Sequence, residues 1–318
     1  MRRGRAAREE AGLDQGFTGA GFAVPQVFPD GRIDLAVIRD VSARAEELGY
    51  DSLWVQERII GSSRSLEPLA LLSYLAAVTD TVRLGVSVLV LPLRSPPQLA
   101  KTLATLDVLS GGRLTVGVGL GGGDANAEAY GIEPGRRVRR FLEALSVMDA
   151  LWKDESADFE GEMYRMAGAT MAPKPIQKPR PPVWFGARAE PAIRRAARYG
   201  DGWMGAGSSS ADDFRESVGV LRNALEAEGK DPATFPVSKR VYVAIDDDAD
   251  RAERRLTDWF GHHYGNPEMA ARVSIWGSAD HCYEQIDAII DAGAEHLLLN
   301  PVFDYDEHLD ALRRYTRP

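Results

Sequence analysis

The stretch Val82–Gly123, VRLGVSVLVLPLRSPPQLAKTLATLDVLSGGRLTVGVGLGGG, constrains the fold more than any other part of the chain. Two β-branched apolar runs, Val82–Val90 and Arg113–Leu120, flank an amphipathic segment, Pro97–Leu109. Ser95-Pro96-Pro97 opens that segment and Gly111-Gly112 closes it, the punctuation of a helix start and stop. Strand–helix–strand follows, and runs without polar alternation are how covered parallel strands read. The second run ends in Gly119, Gly121, Gly122 and Gly123, so the backbone there can approach a ligand closely.

The same glycines satisfy GxGxxG from Gly117 to Gly122, with Glu143 downstream. A dinucleotide fold is rejected because its glycines open a helix and its acidic residue ends the next strand. Here Gly117 and Gly119 lie inside a strand, and Glu143 falls mid-helix in RRVRRFLEALSVMDALW.

Along the chain the unit repeats. Strands are expected at Gly21–Val24, Asp51–Val55, Val82–Val90, Arg113–Leu120, Val183–Phe185, Gly202–Met204, Lys239–Ile245 and His296–Leu299. Helices are expected at Asp34–Leu48, Leu66–Val78, Pro97–Leu109, Arg136–Trp152, Pro191–Tyr199, Asp213–Glu228 and Asp306–Tyr315. Eight strands alternating with helices over 318 residues predict an α/β fold, a (β/α)8 TIM barrel. Insertions are expected after strands four and seven. The first, Asp154–Pro182, is proline-rich with a hairpin-like FEGEMYRM; the second, Asp246–Asp280, holds a helix over Asp248–Phe260 and a loop over His262–Ile275. Residues 1–16 read as a disordered extension before one barrel domain, 17–318.

The net charge of −9 argues against nucleic acid or an anionic membrane surface as the main partner. No run of eighteen apolar residues appears. Single Cys282 rules out an internal disulfide, and no CxxC or HExxH pattern points to a metal; adjacent His262-His263 diverge on any regular element. A reducing cytoplasm is the expected location. In a TIM barrel, ligands meet the carboxyl ends of the strands. The candidates there are Gln26, Gln56–Arg58, Ser87–Val90, Gly119–Asp124, Gly186–Arg188, Gly205–Ser208 and Asn300. Trp203, Arg137 and Glu143 are read as packing and helix-fixing residues.

From Gly21 to Tyr315 the chain resembles the luciferase-like flavin-dependent oxidoreductases. The markers are ARAEELGYDSLWVQE, LGVSVLVLPLRSPPQLAKTLATLDVLSGGRLTVGVGLG, EAYGI with the following LEAL, PKPIQKPRPPVWFGAR, AARYGDGW and DAGAEHLLLNP. The resemblance implies a non-prolyl cis peptide at Ser87-Val88, in a bulge behind the cofactor ring, with Val90, Gly119, Leu120 and Gly121 around it. It implies a phosphate-binding turn at Gly186-Ala187-Arg188, where family members often have two glycines and this chain has Ala187. Deazaflavin-using sugar-phosphate dehydrogenases of the family carry aspartate then histidine where Glu57 and Arg58 stand, and a catalytic glutamate where Gly122 stands. Their acid–base scheme therefore does not transfer. Glu57 and Arg58 remain the candidate catalytic pair, Glu57 toward the ring and Arg58 toward an anionic substrate or a reduced ring, with a simple surface pairing as the alternative. The SVLVLPLRSP form of the third strand resembles the coenzyme F420 branch more than the FMN branch. The expected function is hydride transfer between F420 and a small organic molecule. An FMN-dependent monooxygenase and a flavin-binding protein without turnover are the alternatives, and a homodimer is the expected assembly. The loops Asp124–Arg136, Asp154–Pro182 and Asp246–Asp280 are expected to line the substrate pocket.

Overall fold

A computed structural model describes residues 18–28, 31–61, 63–122 and 127–316. The expected extension, residues 1–16, lies outside them. The elements in order are β1 (Gly19–Ala23), α1 (Leu35–Glu47), β2 (Ser52–Val55), α2 (Pro68–Val78), β3 (Arg83–Val90), α3 (Pro96–Leu109), β4 (Leu114–Gly119) and α4 (Arg137–Lys153). Next come β5 (Ala157–Glu160), β6 (Arg165–Ala169), β7 (Val183–Ala187), α5 (Glu190–Tyr199), β8 (Gly202–Gly205), α6 (Ala211–Ala227) and β9 (Val237–Ile245). The chain ends through α7 (Ala249–Tyr264), α8 (Met269–Val273), β10 (Ser274–Gly277), α9 (Ala279–Asp291), β11 (His296–Pro301) and α10 (Tyr305–Leu312).

Parallel pairing runs β9-β11-β1-β2-β3-β4-β7-β8 and closes from β8 back to β9, giving the expected eight-stranded barrel. The outward face of each strand carries the apolar load. Phe22, Leu53, Val55, Leu84, Val86, Val116, Val118, Phe185, Leu297 and Leu299 pack under the helices in one continuous buried cluster. The inward face is different in kind: Trp54, Met204 and Leu298 form an inner cluster with Val88 and Trp184 against it. Glycines make room for the two indoles, since a Cβ on Gly85 would come within 2.4 Å of Trp54 and one on Gly202 within 2.6 Å of Trp184. Beneath them His296 bridges Ser238 (2.9 Å) and Ser52 (3.0 Å), while Trp54 Nε1 donates to Ser52 (2.8 Å). Buried polar groups on the barrel axis are thus paired with one another.

One insertion departs from the sequence reading and the other keeps its expected hairpin. His262–Ile275 is not a loop. Gly265, at φ 68°, and the following Asn266-Pro267 stop α7, α8 restarts, and Ser274–Gly277 forms β10 on an edge of β9. That edge is shared, because β8 pairs with β9 only over Val237–Lys239 and β10 takes over at Tyr242–Ile245. The Asp154–Pro182 excursion follows α4 and forms the β5–β6 hairpin. It is held to the outer layer: Glu143 accepts backbone N–H bonds from Glu162 and Met163, and Gln177 donates to Asp107 of α3 and to the Leu114 carbonyl.

Packing this close makes glycine substitutions sharply position-dependent. A Cβ on Gly117 would sit 2.0 Å from the Val86 carbonyl oxygen, whereas one on Gly219, exposed in α6, would meet nothing within 4 Å. Gly117→Ala is expected to destabilise by about 1–3 kcal/mol. Gly219→Ala is expected to stabilise by about 0.5–1 kcal/mol through helix propensity. Chemical denaturation of both variants checks the pair.

Candidate cofactor and substrate site

The β3–β4 ladder slips by one residue between Val86 and Leu89, and the Ser87-Val88 peptide inside that bulge is cis, as the resemblance implies. One extra residue in β3 turns Val88 inward. Its methyls lie where a Cβ on Gly119 (2.6 Å) or on Gly186 (2.8 Å) would stand, so small residues on two neighbouring strands are what let the bulge seat. Gly121 does the same for Val90: it combines φ +74° with a Cβ position 2.6 Å from Val90 Cγ1.

The bulge opens onto a cleft of about 520 Å³ at the carboxyl ends of the strands. That size suits a small-molecule or cofactor site. One wall is Ser87, Val88, Val90, Gly121 and Gly186–Arg188, continued by Met204–Ser208. The rest of the lining is Gln56–Arg58, Arg240, Tyr242, His263, Tyr264 and Met269. The structure therefore brings together Glu57, Arg58, Ser87, Val88, Val90, Gly121, Gly186, Ala187 and Arg188 from the sequence-derived set. Gly119 and Leu120 stand behind the wall, Gly119 under Val88 and Leu120 against the outer core. Gly186 and Ala187 belong to β7 rather than following it, and Trp203 Nε1 donates to the Ala187 carbonyl at 3.0 Å. Trp203 stacks on Phe214, the packing role read from the sequence. Of the loops expected at the pocket, Asp246–Asp280 contributes His263, Tyr264 and Met269, whereas none of Asp154–Pro182 lines the cleft. From Asp124–Arg136, Tyr130 faces a neighbouring groove of about 830 Å³ beside Leu93–Gln98, and 123–126 lie outside the described residues.

Glu57 is a brace. Its carboxylate accepts from the Val90 N–H (3.1 Å) and from Arg94 Nε (2.7 Å), and Arg94 also reaches Glu67 (2.9 Å). Burial raises the Glu57 pKa although Arg94 and the Val90 N–H pull the other way. Arg58 donates to the His263 carbonyl near the end of α7, tying that helix to the mouth of the barrel. His263 takes a hydrogen bond with Ser63 at 2.9 Å, and burial, then Arg58 and Arg240, push its pKa down to about 3. It stays neutral. Arg188 is half-exposed at the rim and lies 3.7 Å from Asp213.

Sequence reading missed the β9 contribution. Arg240, 8% exposed, points inward: Nη2 donates to the Ser87 carbonyl (3.1 Å) and Nη1 to Gln56 Oε1 (2.9 Å). Tyr242 bonds the Tyr264 hydroxyl and lies 3.5 Å from Arg240 Nη1. Lys239 points the other way and donates to the Ala206 (2.8 Å) and Ser209 (3.0 Å) carbonyls, holding the loop after β8. Consecutive Lys239-Arg240 inside an otherwise apolar barrel strand was the available signal. Among the described residues no group of three His, Cys, Asp or Glu converges for a metal, and no helix is long and apolar enough to cross a membrane.

The family model described as luciferase-like monooxygenase matches residues 16–296. The chain belongs to that family. It is an oxidoreductase, similar to the F420-dependent glucose-6-phosphate dehydrogenase of Kineococcus radiotolerans at 31% identity, covering 70% of this chain and 68% of the relative. The enzyme of the same name from Nakamurella multipartita is 27% identical over 87% of this chain and 82% of its own. In fold the chain is similar to an F420-dependent secondary alcohol dehydrogenase bound to an F420–acetone adduct (TM-score 0.82, 21% identity, 94% and 98% covered). It is also similar to an FMN-bound type II Baeyer–Villiger monooxygenase component of Pseudomonas putida (TM-score 0.76, 19% identity, 94% and 98% covered).

Burial, and then the neighbouring Arg240, lower the Lys239 pKa to about 7. A depressed lysine favours the fold above its unfolded pKa, and this contribution fades as pH falls toward 7. Wild type should therefore gain stability relative to Lys239→Met between pH 7 and 9, on the order of 1 kcal/mol per pH unit. Parallel denaturation of the two proteins at each pH reads the difference; equal slopes would contradict the assignment.

Proposed function

We propose that this oxidoreductase transfers hydride between coenzyme F420 and a small organic carbonyl or alcohol substrate, in the cleft above the Ser87-Val88 bulge. The observation that carries the reading is the cleft's charge. Arg58, Arg188 and Arg240 face it, while Glu57 has its oxygens committed to Arg94 and Val90. The donor set fits an anionic, planar cofactor: Arg240 has no carboxylate partner among the described residues, and Arg58 Nε is buried without a partner. A deazaflavin supplies a two-electron hydride carrier that reacts poorly with oxygen. Val88 presents the apolar surface for its ring, and the backbone of Gly186–Arg188 with Ser208 lies at the end suited to its phosphate. Arg58 and the Tyr264 hydroxyl line the cleft, where they would orient a substrate oxygen, and the end of α7 with the start of α8 borders it. Glu57 keeps the end of β3 in place.

F420 should bind the apo protein at least about tenfold more tightly than FMN, roughly 1.4 kcal/mol. Fluorescence titration with each cofactor decides this. Tighter FMN binding with oxygen-dependent consumption of reduced FMN would favour the monooxygenase, and tight binding without oxidation of the reduced cofactor by any carbonyl would favour a carrier.

A further inference from the structure

A hydride delivered to a carbonyl carbon leaves negative charge on the oxygen, and a proton must meet it. Few groups in the cleft can supply one. Glu57 has both oxygens engaged, one by the Val90 N–H and one by Arg94. His263 is 2% exposed, bonded to Ser63 and neutral, with a pKa of about 3. The hydroxyls of Ser87 and Ser208 are far weaker acids than a phenol, and the guanidiniums keep their protons at any working pH. Among the described residues that line the cleft, Tyr242 and Tyr264 remain.

The two hydroxyls are hydrogen-bonded to each other, and Arg240 sets the direction of that bond. A guanidinium only donates, so the Tyr242 oxygen, 3.5 Å from Arg240 Nη1, is an accepting end. The Tyr242 O–H then points at the Tyr264 oxygen, and the Tyr264 O–H is left for the cleft. Exposure runs the same way, at 1% for Tyr242 and 37% for Tyr264. Tyr242 is packed edge-on against Phe260 at 4.9 Å between centroids, and a Cβ on Gly207 would come within 3.0 Å of its ring. Tyr264 is the last residue of α7, where Gly265 at φ 68° ends the helix. β9 thus supplies the buried member of the pair and α7 the open one. Burial, and then Tyr242, hold the Tyr264 pKa above its ordinary value while Arg240 and Arg58 pull the other way. The phenol therefore carries its proton at working pH.

Resting on the function proposed above, we infer that Tyr264 is the catalytic acid that protonates the substrate oxygen, and that Tyr242 is a positioning residue that donates to it. In the direction of reduction, the electron pair of the C–H bond broken on the reduced cofactor forms the new C–H bond at the carbonyl carbon. The C=O π pair moves onto oxygen, and that oxygen takes the Tyr264 proton. The substrate gains a hydride and a proton; the cofactor gives up a hydride and releases one ring proton to solvent, and solvent returns a proton to Tyr264. An alkoxide is a stronger base than a phenolate, so the proton moves downhill. The phenolate it leaves is met by the Tyr242 O–H, with Arg240 behind it. Alcohol oxidation is the same path reversed.

The test compares Tyr264→Phe and Tyr242→Phe with wild type, with thermal denaturation to confirm folding. Single-turnover reduction of para-nitrobenzaldehyde by bound, reduced F420 should slow at least about hundredfold in Tyr264→Phe and about tenfold in Tyr242→Phe. Affinity for reduced F420 should stay within about threefold in both. A second readout uses the apo protein carrying Tyr264→difluorotyrosine, whose ionisation is followed by absorbance. Adding Tyr242→Phe should raise the pH of that ionisation by about one unit or more, because the phenolate loses its donor. A smaller loss of turnover in Tyr264→Phe, a loss that only follows weakened F420 binding, or an ionisation that Tyr242→Phe leaves unmoved or lowers, each overturns the inference. Should Tyr264→Phe not fold, the titration of the fluorinated protein decides. Wild type that binds no F420, or binds it and reduces no aldehyde, sinks the proposed function and the inference with it, whereas folded Tyr264→Phe with wild-type turnover sinks only the role of Tyr264.

Discussion

Val88 rests on two glycines, and the architecture of the cleft follows from that contact. The extra residue in β3 turns the Val88 side chain toward β4 and β7, where Gly119 and Gly186 leave the space it fills. A methyl group at either position would push the bulge out of place. The ends of the bulge are held as well: Arg240 takes the Ser87 carbonyl and Glu57 takes the Val90 N–H. Four strands and one loop therefore agree on the position of two residues. A seat preorganised in this way requires little rearrangement when a ligand arrives.

The two faces of the strands divide the work. Outward residues are aliphatic and aromatic and supply burial under the helices. Inward residues include glycine, serine, tryptophan, histidine and arginine beside Met204 and Leu298, and the polar and aromatic ones form layers: the His296–Ser238–Ser52 network low in the barrel, the Trp54 and Trp184 indoles above it, and Arg240 with Gln56 at the mouth. At that last layer Arg240 brings an uncompensated charge to the cleft. Lys239, one residue from Arg240 and on the opposite face, fixes the loop after β8 from outside, so adjacent basic residues brace two different walls.

The barrel was legible because proline and glycine punctuate its helices and because its strands read as short apolar runs. The bulge was legible only through resemblance, since nothing in the composition of SVLV distinguishes it from a regular strand. Arg240 and Tyr242 were not legible as site residues: in Lys239–Ile245 the alternation that separates the two faces looks like polar decoration until the barrel closes. The strand Ser274–Gly277 was missed for a related reason. It is four residues long and pairs only because β8 ends early and leaves part of β9 open. Asp154–Pro182 looked like a pocket-lining loop because it is long and irregular, but Gln177 and the backbone at 162–163 bind it to α3 and α4. Length alone does not tell a pocket loop from a brace.

The central claim is that the cleft above Ser87-Val88, and not the larger groove beside Leu93–Gln98, receives the cofactor. Hydrogen exchange of the protein with and without F420 tests it directly. Binding should slow exchange at Gly121-Gly122, Arg188, Ala206–Ser209 and His263–Gly265, with the segment Leu93–Thr102 unchanged. Slowing confined to Leu93–Thr102, with those cleft segments unaltered, would contradict it.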